Sequence, residues 1–261
     1  MNIFISTDME GISCVETLGA VMDTETPEYQ DALVRLMKDV NVAVAAAFDA
    51  GAEKVYVVDG HFHGKNFIPG ALDSRATQVW VRDLDWVMKD VDAVVEVGAH
   101  AMAGTMNAFL DHTQMSIRIH HYFYNDVRIG EVMQMAVFAG HFGVPIVAVT
   151  GDKAACIEAE HFIKNIKTGS VKHACERNVA TCLPAHEAER IIYDTVKTGI
   201  ENRANVEPIK MELPFEIKVE YNRSDYCDEE CRNNPSLERL DAYTARIIKT
   251  EIKDYYTGVM I

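Results

Sequence analysis

NIFISTDMEGIS, residues 2–13, decides how the rest of the chain is read. Ile3, Phe4 and Ile5 form a short apolar run bounded by polar residues, the pattern of a buried strand. The run empties into Asp8 and Glu10, with Gly11 following at once. Strand side chains alternate with a period of two, so both carboxylates are expected on one face. Two acids that close raise each other's pKa unless a cation lies between them.

The same pattern recurs further along. KVYVVDGH (54–61) and DAVVEVGAH (92–100) read as buried strands that end in Asp59-Gly60-His61 and Gly98-Ala99-His100. Thr26-Pro27 opens a helix, with Thr as N-cap and Pro in the first turn. Leu33, Met37, Val40, Val44 and Phe48 recur at helical spacing, and Gly51 closes the helix. SIRIHHYFYNDVRIGE (116–131) alternates about Asn125-Asp126, which predicts a hairpin turn. EVMQMAVFAGHFG (131–143) and AACIEAEHFI (154–163) read as helices on either side of the strand PIVAVTGD (145–152). Ala185 to Arg203 is expected to be helix, PFEIKVEYN (214–222) strand, and the chain from Leu237 helix again. Apolar strands alternating with helices predict an α/β fold, a largely parallel sheet with flanking helices. The 261 residues are expected to form a single catalytic unit, with a lobe boundary near residue 150.

Twenty-five basic against 40 acidic residues give a net charge of −15, which argues against nucleic acid and anionic membranes as partners. No apolar stretch is long enough for a membrane helix, and the first residues lack the pattern of a signal peptide, so a cytoplasmic location is expected. The six cysteines follow no disulfide framework and read as free thiols. Cys227 and Cys231 form a C-x3-C pair, but zinc there would need two further ligands.

Ligands of open α/β sheets bind at the carboxyl ends of the strands, where this chain gathers its polar residues. Asp8, Glu10, His61 and His100 sit at strand ends, and Glu131 at a helix start can reach the same region. That donor set suits zinc or a similar metal. Five protein ligands exceed the three of a typical catalytic zinc site and suit two ions about 3.5–4 Å apart, with Asp8 the natural bridge. Each residue also has a plainer reading. Asp8 alone would be a cap or a solvated loop acid, Glu131 a first-turn acid at a helix N-terminus, and His63 is an alternative to His61.

STDMEGIS (6–13), VVDGHFHGKN (57–66), EVGAHAMAGT (96–105), DHTQMSIRI (111–119) and YNDVRIGE (124–131) occur in that order. Together they resemble the successive motifs of the zinc-dependent D-aminopeptidases, the dipeptide transport protein A family, from residue 1 to about residue 190. The resemblance implies metal ligands at Asp8, Glu10, His61, His100 and Glu131, and a catalytic histidine at His112. It implies two zinc ions per chain, two α/β lobes, and release of N-terminal D-residues from short peptides or amides. It also implies a homo-oligomer in which rings of five stack into decamers. Cys14 stands where the family usually has Gly, and it reads as a small packing residue. Lys172 and Arg177, in SVKHACERN (170–178), echo family positions but read as surface charges on a helix.

The expected chemistry is hydrolysis by metal-activated water, with His112 moving a proton or stabilising an oxyanion. Two other readings stay open at this point. A two-metal phosphoesterase or other metallohydrolase would use similar donors, although Arg and Lys are sparse in these loops. A ring-forming, non-catalytic peptide-binding protein would need no activated water.

Overall fold

Three apolar runs lie side by side as the centre of a sheet in the computed structural model, which describes residues 1–261. They are β1 (Asn2–Thr7), β2 (Lys54–Asp59) and β4 (Ala93–Ala99), with β3 (Thr77–Val79) beside β2. β7 (Ile146–Asp152) and β8 (Lys167–Glu176) extend the sheet on the other side, and β9 (Val179–Cys182) closes it. The order is β3-β2-β1-β4-β7-β8-β9, parallel throughout except for β9 against β8. The chain turns back on itself between β1 and β4, and that switch point is where open α/β sheets form a crevice beyond their strand ends. Asp8 follows one of these strands and His100 the other.

A second, antiparallel sheet holds β5 (Ile119–Tyr124), β6 (Val127–Arg128), β10 (Phe215–Tyr221), β11 (Glu238–Arg239) and β12 (Thr244–Lys249), in the order β11-β12-β10-β5-β6. Asn125 and Asp126 both have positive φ, as a two-residue hairpin turn between β5 and β6 requires. The helices are α1 (Gly19–Met22), α2 (Pro27–Asp49), α3 (Leu84–Met88), α4 (Glu131–His141), α5 (Lys153–Phe162), α6 (Ala185–Glu201), α7 (Ser224–Asn233) and α8 (Tyr255–Val259). Thr26 caps α2 by accepting from the Tyr29 amide, as its sequence predicts. One continuous cluster of buried apolar side chains joins Ile3 and Val95 of the first sheet to Ile217 and Val219 of the second.

Residue 150 lies inside β7, hydrogen-bonded between β4 and β8. Two expectations change. The chain after Leu237 is not one helix: β12 pairs along β10, and only the short α8 near the terminus is helical. Cross-strand pairing overrides the local helical pattern there. SVKHACERN is likewise strand, because β8 gains hydrogen-bonded neighbours on both edges.

Candidate metal centre

β1 stops at Thr7, and Asp8 leaves the sheet with its amide still donating to Val97 O at 2.8 Å. Glu10 lies in the turn that follows, so the two acids converge through the turn and not through strand alternation. That turn is pressed against the end of β4. The Gly11 amide donates to Gly98 O at 2.8 Å, and a Cβ on Gly11 would come within 2.1 Å of Ala99 O. Gly98 has φ +82, and a Cβ there would come within 2.0 Å of Asp8 O. The two glycines let the first and fourth strand ends touch, which brings Asp8 to His100.

The donors form one connected row. His61 Nδ1 lies 3.0 Å from Glu10 Oε2 and 3.2 Å from Asp8 Oδ1. Asp8 presents its other oxygen, Oδ2, to His100 Nε2 at 3.2 Å. His100 Nε2 is 3.4 Å from Glu131 Oε1, and His112 Nε2 is 3.8 Å from the same oxygen. The rings of His100 and His112 stack at 4.0 Å. Asp8, Glu10 and His100 form one trio with metal-ligand spacing, and His100, His112 and Glu131 form another.

Glu10 Oε2, His61 Nε2 and His100 Nε2 are buried and make no well-aligned hydrogen bond, although Glu10 Oε2 and His100 Nε2 lie at ion-pair distance from their neighbours, which is costly unless a ligand completes them. A divalent cation fits these orphaned donors. The imidazoles are also oriented as ligands usually are. His100 Nδ1 is 3.1 Å from Ala101 O and His112 Nδ1 is 2.7 Å from Leu110 O, so donation to those carbonyls leaves each Nε2 lone pair facing the centre.

The charges support one another. Burial opposes charge on His61, but Glu10 and Asp8 outweigh it and raise its pKa to about 11. Burial opposes charge on His100 too, and Asp8 and Glu131 still hold it well above the ordinary histidine value. Burial would push Asp8 up, but His100 and His61 hold it well below the usual carboxylate range. Glu131 is lowered in the same way, burial being overcome chiefly by His100. Protons thus occupy the imidazoles where a cation is absent, and a metal ion must displace them.

Residues 1–261 match the D-aminopeptidase family of peptidases along their whole length. The chain belongs to the D-aminopeptidase family. It is 27% identical to a D-aminopeptidase of Bacillus subtilis (strain 168), over 97% of each chain. Its fold matches that of a solved structure described as the Zn-dependent D-aminopeptidase DppA from Bacillus subtilis, a self-compartmentalizing protease. The TM-score is 0.91 at 25% identity, covering 99% of this chain and 95% of that one.

In this D-aminopeptidase family member, the residues that hold the candidate ligands in place are largely hidden in the sequence. Lys172 is not on a helix surface: it is a β8 residue, 1% exposed. Its ammonium donates to Glu10 O and Val15 O, both at 2.6 Å, and so pins both ends of the ligand turn. Burial pushes its pKa down to about 8. Arg177 follows β8 and braces the His112 loop by pairing with Asp111 at 3.2 Å and donating to Asp111 O. Asp39 of α2 accepts from the Ser13 amide and hydroxyl. Asp59 accepts from the His61 and Asn66 amides and shapes the loop that carries His61, while His63 is exposed. Gln114 donates its amide to Glu131 Oε1 at 2.7 Å.

Cys14 is exposed and has φ 60, so it is not a packing residue. The left-handed backbone explains why glycine suits that position. All six cysteines are free, Cys227 and Cys231 lying on α7.

A cavity of about 410 Å³ opens beside the ligands, lined in part by Asp8, His100 and Glu131. Val132 and Met135 of α4 and Tyr255 of α8 give it apolar walls. Glu96 also lines it, and this residue went unnoticed in the sequence. The available signal was a single acid inside the apolar run AVVEVGA.

Proposed function

We propose that this chain is a metal-dependent aminopeptidase that releases N-terminal residues, D-residues in particular, from short peptides or amides. The observation that carries this reading is the row of donors from Glu10 to His112, with orphaned nitrogens at its centre and a substrate-sized cavity beside it. The zinc dependence of a relative with the same fold supports the choice of metal.

Asp8, Glu10, His61, His100 and Glu131 would hold two divalent ions, with Asp8 between them because each of its oxygens faces a different histidine. When bound, such ions lower the pKa of a water and polarise a carbonyl. His112 offers a lone pair on Nε2 beside Glu131 and is placed to take a proton and return it to the leaving amine. Its spacing to His100 and Glu131 also suits a ligand, so its metal content as a variant separates the two roles. The anionic cavity suits the substrate's free ammonium group. It also disfavours the phosphoesterase reading: Asp8, Asp59, Glu96 and Glu131 line it against one permanent cation, Arg82.

Residues 1–261 act as one catalytic unit in this reading, because both sheets share a core. Exposed Met106, Met115 and Ile117 flank the His112 loop and favour self-association, in line with the self-compartmentalizing relative; five-membered rings stacked as decamers are the proposed form. No helix is long and apolar enough to cross a membrane; the proposed site of action is the cytoplasm.

The test is hydrolysis of D- and L-alanyl-para-nitroanilide and of para-nitrophenyl phosphate, with metal content measured on the same sample. The expected result is D-alanyl turnover with about two divalent ions per chain. Phosphatase activity alone, or turnover by metal-free protein, would refute the reading.

A further inference from the structure

Four buried acids have no ion-pair partner, and three of them, Asp59, Asp152 and Glu158, accept from backbone amides instead, whereas Glu96 accepts from none. It sits in the middle of β4, is 8% exposed, and lines the cavity beside the metal ligands. No Arg, Lys or His lies within ion-pair distance of it, unlike Asp8, Glu10 and Glu131. The Ser6 hydroxyl favours its charge, but burial dominates and pushes its pKa up to about 8. A buried carboxyl that faces a cavity and has no cation beside it is open to pairing with a cation that enters the cavity.

Its depth indicates what that partner is. Glu96 is in register with Ser6, two residues before Asp8 on the neighbouring strand. Two strand residues span about 6.6 Å, so Glu96 lies below the ligand layer by roughly that distance. A substrate's α-ammonium adjoins the scissile carbonyl and stays in the ligand layer. The side chain of the released residue extends further, past Val132, Met135 and Tyr255, which suit a methylene stem.

We propose that Glu96 makes this cavity selective for an N-terminal residue with a positively charged side chain, a diamino acid such as lysine or ornithine. The proposal rests on the aminopeptidase reading for the use of the pocket, but the pocket's preference is measurable without turnover. The side-chain ammonium pairs with Glu96, and the apolar walls cover its stem. Glu96 is thereby a specificity-determining residue that takes no part in bond cleavage.

The experiment is isothermal titration of the metal-loaded protein with lysine and with norleucine, a neutral analogue of similar shape, each as D and L enantiomers. Wild type is expected to bind lysine of the preferred hand at least about tenfold more tightly than norleucine, the worth of one charge-assisted hydrogen bond. Glu96→Gln should bring that ratio to within about threefold, and Glu96→Asp should keep part of the preference. A wild-type ratio near one overturns the proposal whatever the variants do. So does a Glu96→Gln protein that keeps the ratio, or one in which both ligands weaken equally, since Glu96 would then hold the α-ammonium. Turnover of D-alanyl-para-nitroanilide by wild type is read separately. Its absence would sink the aminopeptidase reading while the binding ratio still decides the role of Glu96.

Discussion

Replacing Lys172 by Met separates a positioning role from simple core filling. The methionine keeps most of the apolar volume but removes two charge-assisted bonds to Glu10 O and Val15 O. Each such bond contributes about 1.5–3 kcal/mol. The cost of burying the ammonium, visible in a pKa pushed down to about 8, is relieved at the same time and returns roughly 3 kcal/mol. The net loss of global stability is therefore small, about 0–3 kcal/mol. Metal binding should suffer more in proportion, because the freed turn carries Glu10 and adjoins Asp8. Groups that orient metal ligands are typically worth about 10–100-fold in affinity. Urea unfolding of chelated and zinc-loaded protein measures both effects. The zinc-loaded variant should lose about 1.4–2.8 kcal/mol more than the chelated one, the same affinity change expressed as energy. Equal changes in the two states, zero included, would mean that Lys172 only fills the core and would refute its positioning role.

His112→Ala should abolish turnover of D-alanyl-para-nitroanilide while metal content by mass spectrometry stays near wild type; loss of an ion would make His112 a ligand. Gly11→Ala places a Cβ against Ala99 O and should cost several kcal/mol in urea melts, roughly 3 or more, and weaken metal retention. Wild-type stability near neutral pH would contradict the close approach. Glu96 has a folded-state pKa of about 8, above the ordinary glutamate value. Its contribution is therefore complete below about pH 4.3 and lost as pH rises through about 8. Chelated wild type should lose stability relative to Glu96→Gln by up to about 1.4 kcal/mol per pH unit within that window, and parallel pH profiles would exclude a buried, titrating Glu96.

The polar strand ends were legible because they rest on short-range rules. An apolar run must be buried, and an acid or histidine at its end has to face something polar, so NIFIST, KVYVVD and AVVEVGA each pointed to a site at their carboxyl ends. The N-cap Thr26, the Asn125-Asp126 turn and the first-turn Glu131 were readable for the same reason. The residues that were misread act over long sequence separations. Lys172 is 162 residues from Glu10, and nothing near it in the chain announces that contact. The local pattern after Leu237 suggests helix because β10, the partner of β12, lies outside any local window.

By itself, the sequence pointed to the alternation of strand and helix and to the candidate ligands Asp8, Glu10, His61, His100 and Glu131, and through its motifs to the family and to His112. Only the tertiary structure decided that Asp8 turns one oxygen to each histidine, that Lys172 and Gly98 hold the ligand turn against β4, and that an unpaired Glu96 faces the cavity. Those are relations between side chains brought together by the order of strands in the sheet. Local periodicity fixes which face a residue occupies, whereas strand order and register fix what that face meets.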